Sequence, residues 1–587
     1  MVIVASAAYA VPAKKMWRTF QQMDGTSIQL MLVGDENLHY YKTKDDVPVV
    51  EENDGFFYAK KAGFAIKSSG VLAHELELRT SADVANTCSL EEIESVRAFV
   101  KTKGPKRIGE PEHPSYTGKK KGLIILANFA DRKFYDYDSA SNGNATWARY
   151  DALVNEEGYT NEKYGAIGSV HDYYSDMSYN KFNLTFDVVG PVNLEHEYSY
   201  YGSGTDDMHA SRMIVECCNA VDAEVDFNDY DWDNDGVVEE VFVLYAGYGE
   251  ATGGPRNTIW PHMWTLTDAA NYDSEIPKEL VLDGALIDVY ACSNELYSNT
   301  GTTEMGLGVI CHEFSHCLGL PDLYDTGYGG NFGMGAWDIL DSGSYNGPQG
   351  IGWVPAGYSS YERNYAGWVK FTELKTPRRV INQKPLSERG TSYIIYNEAY
   401  PDEYYLLENR KQTGWDAYIP GAGLLIVHVD YDQDIWASNN VNTTGAFNNH
   451  QRLTVFHASN STYGGNEAYP YNGNNSLTDF STPKASLYND NPEGAKLMSK
   501  PITEITRNEE TGYISFLFRP DNSQLDANSS IEGIEQAKLD EHAVLDVYTL
   551  DGKKIATQVS RDEVSQLPAG NYIVRQNDGT SVKMAVR

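Results

Sequence analysis

Cysteine is scarce in this 587-residue chain. The six that occur (Cys88, Cys217, Cys218, Cys292, Cys311, Cys317) form no CxxC pair and no regular spacing, so no disulfide framework is legible. Small buried thiols are the expectation for Cys311, Cys317 and the adjacent Cys217–Cys218; one or two disulfides stay open for an exported protein. Positive charge is short as well: 47 Lys and Arg stand against 83 Asp and Glu, a formal net charge of −36. That balance excludes nucleic acid and anionic membranes as partners held by bulk electrostatics. No stretch approaches the roughly 20 apolar residues of a spanning helix, so no transmembrane segment is expected.

What is abundant points outward from the cell. The 42 tyrosines, with many Gly and Asn, suggest β-rich, loop-rich architecture. The acidic side chains supply candidate calcium ligands. At the N-terminus, a short apolar run ends in Ala8-Tyr9-Ala10, an A-x-A cleavage pattern without a basic region before it. We read residues 1–10 as a signal-peptide remnant and the protein as secreted, extracellular or attached to a cell surface.

The length predicts several domains. Residues 11–110 read as a separate unit, with a strand signal at Ser27–Leu32 and a basic, Pro- and Gly-containing stretch at Lys101–Arg107 suited to proteolytic nicking. The unbroken apolar run Gly122–Phe129 predicts a central strand. Helical signals at Val170–Tyr174 and Met208–Ala220 and strands near Phe182–Val189 and Val237–Leu244 follow, giving an α/β domain over 115–375. Residues 376–520 carry short strands between Gly, Asn and Pro turns and predict a β-sandwich. Asp521–Asn528 reads as a polar linker, and 532–587 as a small C-terminal β-sandwich. The expected fold class is multidomain α/β plus β.

The chemistry concentrates in Cys311-His312-Glu313-Phe314-Ser315-His316-Cys317-Leu318-Gly319-Leu320-Pro321-Asp322. On a helix, His312 and His316 project from one face toward one point, which suits two ligands of a tetrahedral zinc. Glu313 then faces the open position as general base for a zinc-bound water. The run Glu304–Ile310 supplies the apolar approach of a buried helix. Gly319 offers the positive φ that ends it and can return Asp322 as a third, carboxylate ligand. The extended motif with a third His is the metzincin signature; here Asp322 stands in that place. Glu362, on a later helix, is the rival third ligand. A bare HExxH also occurs by chance on surface helices; the apolar approach, Gly319 and Asp322 raise this one above that reading.

A second motif, Asp231-Trp232-Asp233-Asn234-Asp235-Gly236-Val237-Val238-Glu239, places oxygens at positions 1, 3, 5 and 9, Gly at 6 and the Val237 carbonyl at 7. That is the first part of an EF-hand-like calcium loop. Phe242 occupies position 12 and a strand follows, so a structural calcium is expected rather than a sensor; the rival is an acidic surface turn.

Together these segments resemble the immune inhibitor A-like family of secreted bacterial metallopeptidases over roughly residues 120–520. The resemblance rests on Gly122–Phe129, Ser169–Tyr174, Asp231–Gly247, Ile259–His262, the HExxH segment, Gly335–Ser344 and Pro420–Asp430. It implies a metzincin-like domain with one catalytic zinc on His312, His316 and Asp322 and Glu313 as base. It also implies a Met-containing turn beneath the metal, where this chain has Leu340 with Met334 nearby. Residues 11–110 resemble that family's pro-segment, with Cys88 or a pro-segment aspartate as candidate metal-blocking groups. Residues 532–587 resemble the sorting domain of type IX secretion cargo, through Val547–Lys554 and Gly570–Val574, which implies secretion machinery as a partner.

The expected function is therefore a zinc endopeptidase made as a zymogen, monomeric, acting on extracellular or host proteins. Tyr345 and His262 are the candidate oxyanion donors, and His428 reads as a satisfied core histidine. A zinc hydrolase of a non-peptide extracellular polymer and an inactive binding or adhesion protein are the alternatives; an intact Glu313 argues against the last.

Overall fold

The computed structural model describes residues 10–96, 116–518 and 544–586, apart from 36–37, 53–54, 63–64, 86, 91, 94–95, 203–206, 208, 463–465, 550–553, 565, 569 and 577–580. The expected leader (except Ala10), the basic stretch Lys101–Arg107 and the linker Asp521–Asn528 lie outside the described residues. The chain forms two compact units, Met1–Thr376 with Val380–Pro520, and Asp521–Arg587 with Pro377–Arg379.

The first described residues build a six-stranded antiparallel meander, running in sequence order from Trp17–Gln21 to Ala65–Leu72. Alternation drives it: Ile28 and Leu30 of Ser27–Gly34 point into one core with Val49, Phe56 and Tyr58.

The next sheet has five strands in the order His262–Thr265, Val289–Leu296, Val241–Tyr248, Gly118–Asn128 and Phe182–Asn193. All neighbours run parallel except His262–Thr265, which is antiparallel at the edge. The stretches Leu123–Ala127 and Val241–Ala246 of its middle strands are buried and largely apolar because both faces are covered. Ile124, Leu126 and Leu244 face the helices Val170–Met177 and Gly308–Cys317; Leu123, Ile125 and Val243 face the helix Ala210–Val221. The strand expected at Val237–Leu244 is broken. Val237–Val238 pairs with Ala285–Ile287 in a separate small sheet, and the central strand begins at Val241. The short helix Ser360–Tyr365 follows the HExxH helix in this region.

Beyond residue 371, a five-stranded sheet runs Thr372–Glu373, Tyr393–Tyr396, Glu403–Arg410, Gly423–Asp430 and Leu453–Val455. Its faces have different partners. Leu406, Leu425, Val427 and Val429 join the core that holds the HExxH helix. Tyr405, Leu407, Leu424 and Ile426 pack with Val380, Ile502 and Phe516 of a three-stranded sheet. The region expected as a freestanding β unit is thus continuous with the α/β core.

The C-terminal unit contains a four-stranded antiparallel sheet ordered Lys554–Val559, Leu545–Thr549, Gly570–Gln576 and Ser581–Val586, with Leu545, Val547, Tyr572 and Val574 in its core. Among the described residues this is one sheet, where two facing sheets were expected.

Candidate active site and metal centre

The HExxH helix starts at Gly308, where a Cβ would meet the Ser344 carbonyl at 1.9 Å. It ends at Gly319 (φ 88°). Gly319 N–H bonds the His316 carbonyl at 2.8 Å and Leu320 N–H reaches that of Ser315 at 3.3 Å, the paired bonds of a Schellman turn. The turn carries Asp322 back beneath the helix.

Three ligand atoms meet there, all fully buried. His312 Nε2 and His316 Nε2 are 3.0 Å apart, and Asp322 Oδ1 lies 3.3 and 3.2 Å from them. The opposite ring nitrogens are committed: His312 Nδ1 is 2.6 Å from the Ile339 carbonyl and His316 Nδ1 is 2.8 Å from that of Leu320. A carbonyl only accepts, so each Nδ1 carries the proton and each Nε2 turns a lone pair inward. Two lone pairs and a carboxylate oxygen facing one another need a cation between them. Tetrahedral zinc with ligands near 2.0–2.1 Å would space its donors by about 3.3 Å, so the set fits this metal. Burial lowers the pKa of His316, which favours its neutral, ligating form.

Sequence reasoning missed the residue that orients the third carboxylate. Asn439 accepts the Asp322 N–H at 2.8 Å and donates to Asp322 Oδ2 at 2.7 Å, leaving Oδ1 for the histidines. It follows the short helix Gln433–Ala437 in left-handed conformation (φ 52°), a helix-end position that Asn tolerates. An Asn just past a helix is the only signal the sequence offered. Such carboxylate-orienting contacts set metal affinity.

The other expected residues are distributed as follows. Glu362 is not at the metal. It accepts the N–H of Ser359 at the start of its own helix and faces Asp338; burial pushes both carboxyls up, Asp338 to about 6. Met334 and Leu340 are both buried in the same core, and it is the Ile339 carbonyl that supports His312. His262 lies between the Trp260 carbonyl (2.7 Å) and Tyr290 Oη (3.0 Å), and burial lowers its pKa to about 4; it is a structural residue. His428 is satisfied by Glu403 at 2.8 Å. Cys88 packs with Val33, Tyr40 and Ala59, outside the His312–Glu313–His316 group, and burial raises its thiol to about 11. The six cysteines, all among the described residues, are buried and form no disulfide.

In the acidic loop, carboxylates of Asp231, Asp233 and Glu239 lie within 4.8 Å of one another. Asp235 is turned differently: its carboxylate accepts the Val237 N–H at 2.9 Å, and its own N–H contacts Asp231 and Asp233. Val237 lies in the small sheet. Burial, with Asp233 and Asp231 nearby, raises Glu239 to about 7.

The least expected occupant of the site is the chain itself. Residues 10–14 run through it as extended backbone, with Ala10 and Val11 fully buried. Val11 N–H donates to Glu313 Oε1 at 3.0 Å. Tyr324 Oη donates to the Ala10 carbonyl at 2.7 Å, Trp260 Nε1 to that of Val11 at 2.9 Å, and Tyr345 Oη to that of Pro12 at 2.9 Å. Lys14 N–H reaches the Ala251 carbonyl at 3.0 Å. Farther out, His39 stacks on Trp260 and pairs with Glu250 at 2.9 Å, and Arg18 donates to the Gly253 carbonyl at 2.8 Å.

Residues 114–369 match the family profile of the immune inhibitor A peptidase M6 catalytic domain. The pre-pro-metalloprotease PrtV of Vibrio cholerae serotype O1 is 28% identical over 302 residues, covering 46% of this chain and 31% of that protein. Immune inhibitor A of Bacillus thuringiensis subsp. alesti is 25% identical over 300 residues, covering 44% and 42%. The chain thus spans less than half the length of these relatives. The matched region takes in the HExxH helix, Asp322 and the acidic loop, and stops before Asn439.

Proposed function

We propose that the chain is a secreted zinc-dependent endopeptidase made in latent form. One observation carries the catalytic part: His312, His316 and Asp322 converge on a single buried point with Glu313 beside it, inside a region similar to a metallopeptidase domain. Zinc, when bound, supplies Lewis acidity and lowers the pKa of a coordinated water to about 7. Glu313 accepts the water proton and passes it to the departing nitrogen. Buried walls from Trp260, Met305, Val309 and Tyr345 exclude bulk water and orient the peptide.

Latency is supported by the path of residues 10–14. Their backbone fills the groove beside Glu313, and cleavage of a leader after Ala10 would leave Val11 as a new amino group at the base. We assign this role to the N-terminal segment in place of Cys88. The C-terminal sheet we read as the sorting domain met by secretion machinery.

Incubation with casein, with a zinc chelator and after zinc is restored, tests the reading. Cleavage that disappears with the metal and returns with zinc supports it. Unchanged cleavage in chelator, or cleavage of an extracellular polysaccharide instead, overturns it. No described helix is long and apolar enough to cross a membrane.

The acidic loop we assign to calcium, on Asp231, Asp233 and Glu239. Without a cation the raised Glu239 pKa favours its protonated form in the folded chain. That contribution to stability is present below its usual 4.5 and is lost as pH rises through about 7. In chelator the Tm should therefore fall over this interval, and calcium should remove the fall by taking the proton's place. Identical Tm–pH curves with and without calcium would dismiss the assignment.

A further inference from the structure

The contacts of residues 10–12 fix a register. Glu313 holds the Val11 N–H, so an amide nitrogen stands where a departing nitrogen must receive its proton. The carbonyl bonded to that nitrogen belongs to Ala10, and its oxygen accepts the hydroxyl of Tyr324 at 2.7 Å. Trp260 and Tyr345 grip the next two carbonyls along, those of Val11 and Pro12. The Ala10–Val11 bond therefore lies as a bond about to be cut would lie. Of the two oxyanion donors the sequence suggested, His262 is absorbed in its own hydrogen bonds and Tyr345 is displaced by two residues from the reacting carbonyl.

We propose that Tyr324 is a catalytic residue, the hydrogen-bond donor to the carbonyl oxygen of the peptide bond being hydrolysed. The proposal rests on the peptidase reading above. The water oxygen adds to the carbonyl carbon while Glu313 takes the water proton, and the C=O π pair moves onto the carbonyl oxygen. When that pair returns, the C–N bond breaks and the nitrogen takes the proton from Glu313, giving an acid and an amine. Tyr324 keeps its proton throughout; its hydrogen bond strengthens as charge collects on the oxygen it faces. The backbone beside it is pinned, with Leu323 N–H on the Leu340 carbonyl (2.8 Å) and Met334 N–H on the Leu323 carbonyl (3.1 Å), so the donor is preorganised. A donor already in place costs no reorganisation at the moment of reaction. Trp260 and Tyr345 act on the leaving side as binding contacts present before and during reaction, which bear on KM.

The test is Tyr324→Phe, which keeps the ring and removes the donor, made in the active zinc-loaded protein. Its kcat should fall by about 10²- to 10³-fold, a larger change than any rise in KM, with zinc content and Tm unchanged. The Ki of a phosphinic pseudopeptide bearing Ala and Val around the tetrahedral phosphorus should rise by the same factor as kcat/KM falls. Tyr345→Phe should instead raise KM and leave kcat. In the metal-free full chain, Tyr324→Phe also releases the Ala10 carbonyl, so tryptic cleavage after Lys14 should come sooner. A kcat close to wild type, a Ki that does not follow kcat/KM, or loss of zinc in the Tyr324 variant overturns the assignment and leaves the zinc peptidase standing. A wild-type protein without zinc-dependent cleavage removes both.

Discussion

Glu313→Gln is expected to lower peptide hydrolysis by up to about 10⁴-fold, with zinc content and Tm at their wild-type values. Gln has the size of Glu, and its amide oxygen can still accept the hydrogen bond that Val11 N–H now makes to Oε1. The three ligand atoms belong to other residues, so metal binding should survive. What disappears is a group that can take a proton from water and return it to nitrogen. A metal ion alone would still polarise the carbonyl, which is why residual cleavage is expected rather than none. Comparable rates for wild type and variant on casein, measured with equal zinc occupancy, would sink the assignment of Glu313 as base.

The second large effect concerns latency. Val11→Asp should unlatch the full chain without any cut. Val11 is fully buried among Trp260, Met305, Val309 and Tyr345, an apolar pocket. Placing a charge there costs on the order of 3 kcal/mol, a shift of roughly a hundredfold between seated and released segment. The new carboxylate would also stand beside that of Glu313, and like charges add to the penalty. Full-length Val11→Asp should therefore digest casein while the full-length wild type stays slow. Lys14→Ala is the control, since its side chain lies over the Tyr297 ring near the mouth of the groove and should change little. If Val11→Asp is as silent as the wild type, residues 10–14 are not the inhibitory element.

Much of the centre was legible because it is local. A four-residue spacing on a helix, a glycine that must adopt positive φ and an acid three residues later are facts of short-range geometry, so His312, His316, Glu313 and Asp322 could be placed together from the sequence. The apolar run Gly122–Phe129 was equally readable as part of the strand Gly118–Asn128, since burial on both faces leaves the run unbroken. What escaped was carried by distance along the chain. Asn439 meets Asp322 across 117 residues, and Val11 meets Glu313 across 302. No periodicity links such pairs. The leader signal even hid the second contact, since Ala8-Tyr9-Ala10 reads as an export address and gives no hint that the next residue is seated at the base. Glu362 had the right chemical type, and packing put it on a helix start; Tyr345 reaches the Pro12 carbonyl, two along from that of Ala10.

The sheet that shares its core with the HExxH helix has a consequence for how this chain can be divided. Similarity to known catalytic domains ends at residue 369, yet the amide that aims Asp322 comes from residue 439, on a loop anchored by the later sheet. A fragment trimmed to the recognisable domain would keep every ligand and lose the alignment of one of them, together with the apolar cover of Leu425, Val427 and Val429. Grafting the HExxH region onto another scaffold, or exchanging its downstream region with a relative's, therefore has to move the segment through about residue 518 as one piece. The smallest exchangeable part of this protein is larger than the part that sequence comparison recognises.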